Sequence, residues 1–135
     1  LLIPKTRKSG VIMAAALIVD VILCNVILKN LIARVRPYDV NTAVQVLVAK
    51  PKDFSFPSGH TAASFASVTA LYLAGEKKLW KPALALAILI AFSRMYLYVH
   101  YPTDILGGVI FGSLSAWIGY RISTKVLLYA MMKKE

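Results

Sequence analysis

Four long apolar stretches dominate this chain and limit the folds that it can adopt. They cover residues 11–28, 61–74, 83–99 and 105–120. An α-helix rises 1.5 Å per residue, so about 20 residues cross a hydrocarbon core of about 30 Å. The first and third stretches approach that length, whereas the second is short and needs residues 58–60 as its first turn. The pattern predicts an all-α, multi-pass transmembrane bundle with four spanning helices, in which residues 1–135 form a single membrane-embedded domain.

A soluble all-α domain with long buried helices is the alternative fold. Hydrophobic residues make up 59% of the chain and its mean hydropathy is +0.67, which leaves too little polar sequence to cover such helices. The chain begins Leu1-Leu2-Ile3-Pro4 without a methionine, as the end of an earlier apolar segment would. We therefore expect that N-terminal helices are missing from this sequence.

Lysine and arginine residues predict the orientation of the bundle. In a four-helix up-and-down chain, the cations before the first helix, between the second and third, and after the fourth share one face. These ten are Lys5, Arg7, Lys8, Lys77, Lys78, Lys81, Arg121, Lys125, Lys133 and Lys134. The opposite face carries six, three of which belong to the polar clusters described next. Because cytoplasmic loops are enriched in such residues, both termini are predicted to be cytoplasmic. The net charge of +10 is then explained by topology and an anion site, without a nucleic-acid partner.

Three polar clusters meet on the predicted extracytoplasmic face. They are Lys29 through Arg36-Pro37, Pro57-Ser58-Gly59-His60, and Ser93-Arg94 with His100 and Asp104. The second cluster begins an apolar helix, and helix N-termini bind anions through their free N–H groups. Taken singly, the clusters fit interfacial cations, a capping turn and a structural histidine–aspartate pair. Their convergence at one depth predicts an anion-binding site instead.

The third cluster has the residue types of an activated nucleophile. His100 and Asp104 are four residues apart, and a carboxylate beside one imidazole nitrogen raises the nucleophilicity of the other. Ser93 and His100 are seven residues apart and are expected to share one face of the third helix. An arginine in a membrane helix is costly and usually has an anionic partner, so Arg94 is expected to bind an anion.

Carboxylates are too few on this face for a metal centre. Asp39, Asp53 and Asp104 are the acids expected there, and they are not spaced as a set of metal ligands. The sequence therefore predicts chemistry without a metal or another cofactor, which would depend on a histidine nucleophile and cationic groups.

The three clusters, taken in order, resemble the three-part signature of the type 2 phosphatidic acid phosphatase superfamily. The matching positions run from Lys29 to Asp104. The resemblance implies that His100 forms a phosphohistidine, that Asp104 orients it, and that His60 protonates the leaving oxygen and then assists water. It further implies that the phosphoryl oxygens are bound by Lys29, Arg36, Ser58, Gly59 and Arg94. Membrane members of the family are metal-independent and usually have six helices, so two N-terminal helices are expected to be missing.

The resemblance implies hydrolysis of a phosphate ester or diphosphate on a membrane lipid, with undecaprenyl diphosphate as the preferred substrate. Phosphatidylglycerophosphate and phosphatidate phosphatases have the same motifs and remain alternatives. A lipid phosphotransferase would use the same histidine but pass the phosphoryl group to an acceptor lipid. A non-enzymatic scramblase or assembly partner would typically lack His60 or His100, and the related vanadium haloperoxidases are soluble. The sequence leaves open the oligomeric state and the role of Asp20.

Overall fold

The helices account for most of the chain in a computed structural model, which describes residues 6–133 apart from the side chains of residues 130 and 131. They are α1 (Arg7–Asp20), a π-helical segment (Val21–Leu28), α2 (Lys29–Ile32), α3 (Pro37–Val40), α4 (Gly59–Leu73), α5 (Trp80–Tyr96) and α6 (Pro102–Met132). This part of the chain contains no strand, so the all-α prediction is confirmed. Two of the cations used to predict the orientation, Lys5 and Lys134, lie outside the described residues, as does the N-terminal sequence Leu1 to Pro4.

The first rod, made of α1, the π-helical segment and α2, ends at Ile32, before the Arg36-Pro37 pair of the first cluster. Ala33 adopts a left-handed conformation with φ 49°, and Arg36 is extended at φ −76° and ψ 154°. The extended geometry follows from Pro37, because a proline disfavours helical geometry at the residue before it. Asp20, at the end of α1, is buried, and no described group donates a hydrogen bond to its Oδ1.

Small residues bring α4 and α6 into backbone contact, as their four-residue spacing predicts. A Cβ atom added at Gly112 would overlap the backbone of Ala62, and one at Gly108 would lie 2.9 Å from the carbonyl oxygen of Ser58. The N–H of Ser58 also donates to the carbonyl of Asp104 at 3.0 Å. This close packing fixes the start of α4 against the start of α6.

The predicted third helix is too long by three residues, because α5 ends at Tyr96 rather than at residue 99. Tyr98 is left-handed with φ 58°. The N–H of Tyr98 donates to Met95, and that of Val99 donates to Arg94, which is the Schellman pattern of a helix end. His100 therefore lies in a turn beyond the helix. The expectation that Ser93 and His100 share a helix face is wrong.

Two helical runs, Arg7–Val40 and Pro102–Tyr129, are long and apolar enough to cross a membrane. α4 has 15 residues and α5 has 17, which correspond to about 22 and 26 Å, short of a hydrocarbon core of about 30 Å. The outer surfaces of α5 and α6 carry exposed apolar side chains, including Leu89, Phe92 and Ile110. Ser9 at the start of α1 donates to Glu76 in the α4–α5 turn at 2.6 Å. The start of α1 and the α4–α5 turn thus lie at the same end of the bundle.

Candidate active site

A cavity of about 410 Å³ opens at the end of the bundle where α2, α4 and α5 meet the loop before α4. Six of the eight predicted site residues line it: Lys29, Arg36, Gly59, His60, Arg94 and His100. Asn25, Pro51, Asp53, Ala63 and Val99 complete the lining. The three sequence clusters, which are far apart along the chain, therefore share one cavity.

His100 presents one ring nitrogen to Arg36 and the other to Asp104. Its Nε2 lies 3.3 Å from Nη1 of Arg36, and its Nδ1 lies 3.5 Å from Oδ2 of Asp104 without a well-formed hydrogen bond. Because a guanidinium only donates, Nε2 must accept, which assigns the proton of the neutral ring to Nδ1. Burial lowers the pKa of His100 below its ordinary value; the Asp104 carboxylate opposes this shift and the Arg36 charge adds to it. The ring is therefore neutral at neutral pH, with a lone pair on Nε2.

Asp104 is fully buried behind His100 and does not line the cavity. Its Oδ2 accepts hydrogen bonds from the Ser55 hydroxyl and from the N–H of Tyr101 at 2.8 Å. Its Oδ1 accepts from Nη1 of Arg34 at 2.8 Å. These contacts hold the carboxylate in position. Neither Ser55 nor Arg34 was among the predicted site residues, although Arg34 lies only two residues before Arg36 in the first cluster.

Arg36 and Lys29 form ion pairs with Asp53, a residue that the sequence placed on this face but gave no role. Nη2 of Arg36 donates to Oδ1 of Asp53 at 2.6 Å, and the Lys29 ammonium pairs with Oδ2. Partial burial raises the pKa of Asp53, but hydrogen bonds from Lys29 and Arg36 outweigh it and lower the pKa below its ordinary value. Asp53 is therefore an ionised carboxylate on the cavity wall.

The Pro57-to-His60 cluster begins α4 as predicted. Ser58 is the N-cap: its Oγ accepts from the N–H of Thr61 at 3.4 Å and from the Thr61 hydroxyl at 3.0 Å. The Ser58 side chain is fully buried and lies outside the cavity lining, unlike Gly59 and His60. A Cβ atom at Gly59 would stand 3.0 Å from Oδ1 of Asn25, so the absence of a side chain lets this backbone approach the first rod.

Arg94 and Asn25 complete the polar lining from two sides. Arg94 is in the last turn of α5, and its Nε donates to the Ser93 hydroxyl at 3.4 Å. Asn25 lies four residues before Lys29 in the first rod, so the two share a helix face. Asn25 was not predicted, although it is a polar residue in the middle of an otherwise apolar stretch. Across residues 6–133, no group of three or more His, Cys, Asp or Glu side chains could hold a metal ion.

The sequence model described as the PAP2 superfamily matches residues 9–127 of this chain. The chain belongs to the PAP2 superfamily. Its similarity to an undecaprenyl-diphosphatase from Sulfolobus acidocaldarius is 30% identity over 124 residues, covering 92% of this chain and 60% of that protein. It is also 39% identical over 102 residues to phosphatidylglycerophosphatase B from Bacillus subtilis, covering 68% of this chain and 47% of the relative.

The PAP2 fold is also found in a solved relative. The crystal structure of a transmembrane PAP2-type phosphatidylglycerolphosphate phosphatase from Bacillus subtilis matches with a TM-score of 0.66 and 33% identity. The match covers 87% of this chain and 60% of the other. The predicted family is confirmed. The chain spans about half to three-fifths of the length of these relatives.

Proposed function

We propose that this PAP2 chain hydrolyses a phosphate ester or diphosphate on a membrane lipid, without a metal, through a phosphohistidine intermediate. The observation that carries the proposal is the position of His100 in a cavity lined by Lys29, Arg36 and Arg94, with its Nε2 3.3 Å from Nη1 of Arg36. A neutral imidazole nitrogen among cations is suited to attack a bound phosphoryl group, because the cations neutralise its negative charge.

In the first step, Nε2 of His100 forms a bond to phosphorus while the bond from phosphorus to the leaving oxygen breaks. His60 gives its proton to that oxygen. In the second step His60 takes a proton from water, which attacks the phosphohistidine and releases inorganic phosphate. Asp104 stabilises the positive charge that develops on the His100 ring. Both histidines line the same cavity, which supports these roles.

Phosphoryl oxygens are proposed to bind to Lys29, Arg36, Arg94 and the N–H of Gly59. The partial positive charge at the start of α4 adds to this site. Ser58, which was predicted to bind phosphate, is proposed to contribute by capping α4, because its oxygen accepts two hydrogen bonds from Thr61 and its buried side chain lies outside the cavity lining. The cap holds the first turn of α4 in the geometry that aims Gly59 and His60 at the cavity.

The preferred substrate is undecaprenyl diphosphate, and the relative from Sulfolobus acidocaldarius is named for that activity. The relative from Bacillus subtilis is named phosphatidylglycerophosphatase B, and its 39% identity keeps a phosphatidylglycerophosphate or phosphatidate as the second candidate. A lipid phosphotransferase would share the first step and replace water by an acceptor lipid in the second.

The proposed location is the cell membrane, with all four long helices crossing it, both termini of this chain cytoplasmic and the cavity at the extracytoplasmic face. The short α4 and α5 support a cavity recessed below the surface, because its polar residues lie at the start of α4 and at the end of α5. Single cysteines placed at Lys77 and Lys52 of a Cys24→Ala protein test the orientation with a membrane-impermeant thiol reagent. Labelling of the residue 52 site alone in intact cells is expected, and labelling of the residue 77 site alone would reverse the topology.

Phosphate release from a panel of lipid phosphates in excess EDTA tests the function. The wild-type chain is expected to release phosphate from at least one terminal phosphate or diphosphate, and His100→Ala is expected to release none. Strict dependence on added metal, or unchanged turnover by His100→Ala, would contradict the mechanism. A labelled acceptor lipid formed without stoichiometric free phosphate would identify a phosphotransferase instead.

A further inference from the structure

Every N–H of the Arg36 guanidinium already has a protein acceptor. Nε donates to the carbonyl of Asp53 at 2.8 Å, and Nη1 faces the carbonyl of Val99 at 2.9 Å and Nε2 of His100 at 3.3 Å. Nη2 donates to Oδ1 of Asp53 at 2.6 Å and to the carbonyl of Phe54 at 3.4 Å. An arginine has five N–H donors, so none is left for a phosphoryl oxygen in this arrangement.

The Asp53 carboxylate is the acceptor that a ligand can replace. The other partners of Arg36 are backbone carbonyls and a buried ring, whereas the Asp53 side chain is 50% exposed and lines the cavity. The same carboxylate also pairs with Lys29, whose side chain is only 9% exposed. One half-exposed carboxylate therefore bridges the two buried cations that the phosphate is proposed to use.

We propose that Asp53 is a resident anion that exchanges with the phosphate: the incoming phosphoryl group displaces its carboxylate from Lys29 and Arg36, and the returning carboxylate helps to expel inorganic phosphate. This inference rests on the proposed function, because it assigns Lys29 and Arg36 to phosphate binding. The exchange keeps two buried cations paired in the empty site, where an unpaired charge would be costly.

The exchange has a definite signature in binding. Neutralising Asp53 removes the competitor, so inorganic phosphate should bind more tightly to Asp53→Asn than to the wild type. The Asp53 side of each ion pair is 50% exposed, so screening by water should keep each of its two pairs to a factor of about 1.4 to 5 in an equilibrium. The expected gain in phosphate affinity is therefore about twofold to 25-fold. If Asp53 merely orients Lys29 and Arg36, its replacement should instead weaken the binding of inorganic phosphate.

Calorimetric titration of inorganic phosphate into the detergent-solubilised protein tests the proposal without any turnover. Asp39→Asn is the matched control, because Asp39 is exposed, lies outside the cavity lining and carries the same charge. Tighter binding by Asp53→Asn, with Asp39→Asn near the wild type, is expected. Equal or weaker binding by Asp53→Asn overturns the proposal, as does an equal gain in both variants, which would indicate a general charge effect.

A double-mutant cycle with Lys29→Met provides a second readout. Because Lys29 accounts for one of the two ion pairs, the gain in phosphate affinity from Asp53→Asn should shrink when Lys29 is already replaced. An undiminished gain in phosphate affinity in the Lys29→Met background overturns the proposal. Asp53→Ala serves in the same cycle if the asparagine variant does not fold. The proposed function and the exchange can fail separately. If Asp53→Asn binds phosphate more tightly but no lipid phosphate is hydrolysed, only the proposed function fails. If a lipid phosphate is hydrolysed but Asp53→Asn binds phosphate no more tightly than the wild type, only the exchange fails.

Discussion

Replacing Asp104 by asparagine removes one charge behind His100 while keeping the shape of the side chain. The carboxylate accepts three hydrogen bonds, from Ser55, Tyr101 and Arg34, and faces Nδ1 of His100. An amide has one accepting oxygen, so its NH₂ group must face either the donor from Arg34 or the N–H of Tyr101. The second orientation leaves the Tyr101 N–H without its acceptor, which costs about 1–3 kcal/mol of stability, whereas Arg34 is 36% exposed and keeps Thr103 as an acceptor.

The effect on catalysis should be larger than the effect on folding. An NH₂ group is repelled by the Arg34 cation and is therefore expected to face Nδ1. The ring must then carry its proton on Nε2, so the lone pair is no longer available in the cavity. Loss of a carboxylate behind a catalytic imidazole lowers kcat on the order of 10⁴-fold, and we expect a fall of about 10³- to 10⁴-fold here. Since Asp104 does not line the cavity, KM should change little.

Steady-state phosphate release measures both constants, and thermal unfolding in detergent measures the stability. Ser55→Ala is the matched comparison, because it removes one hydrogen bond from Asp104 and leaves the charge in place. A fall in kcat of less than tenfold for Asp104→Asn, in a protein that still binds inorganic phosphate, would refute this account of Asp104. So would a loss that appears mainly in KM.

Three further predictions concern the cavity and the packing that supports it. The pKa of His100 is lowered in the fold, so the reactive neutral ring persists as the pH falls. The midpoint of the acidic fall in kcat/KM should therefore lie below the ordinary imidazole pKa of about 6.5. A midpoint above that value would contradict the role of a neutral His100 as the nucleophile. Arg36→Lys should lower kcat/KM by about 10- to 100-fold, because an ammonium has too few donors to contact phosphate while keeping the contacts of the guanidinium with Asp53, Phe54 and Val99. Kinetics equal to wild type would show that a single positive charge suffices. Gly112→Ala should lower the free energy of unfolding by about 1–3 kcal/mol, because the added Cβ overlaps the Ala62 backbone; an unchanged melting temperature would contradict the close approach of α4 and α6.

The sequence predicted the cavity well because the clusters lie at helix ends, whose positions follow from apolar length and from proline. Pro37 begins α3 after the turn that ends the first rod, and Pro102 begins α6. The end of α5 was missed for a local reason. Its left-handed position is filled by Tyr98 rather than by glycine, so the usual signal of a helix end is absent from the sequence.

The partners of the clusters could not be predicted from spacing. Asp53 and Ser55 belong to the long loop before α4, and their contacts with Arg36 and Asp104 depend on how that loop folds back over the helix ends. Unlike Asp104, Asp53 lies at no motif spacing from a histidine or a cation, so its sequence position suggests only a candidate metal ligand and not a counter-ion. Arg34 pairs with Asp104, 70 residues away in the sequence, which is a tertiary contact without a local signature.

The covalent intermediate is the most direct test of the central claim. Protein quenched at alkaline pH during turnover of a lipid phosphate can be digested and its phosphorylated peptides identified by mass spectrometry. We predict an acid-labile phosphoryl group on His100, absent from His100→Ala and accumulating in His60→Ala as attack by water slows. Full turnover with no label on His100, or with the label on His60, would contradict the mechanism.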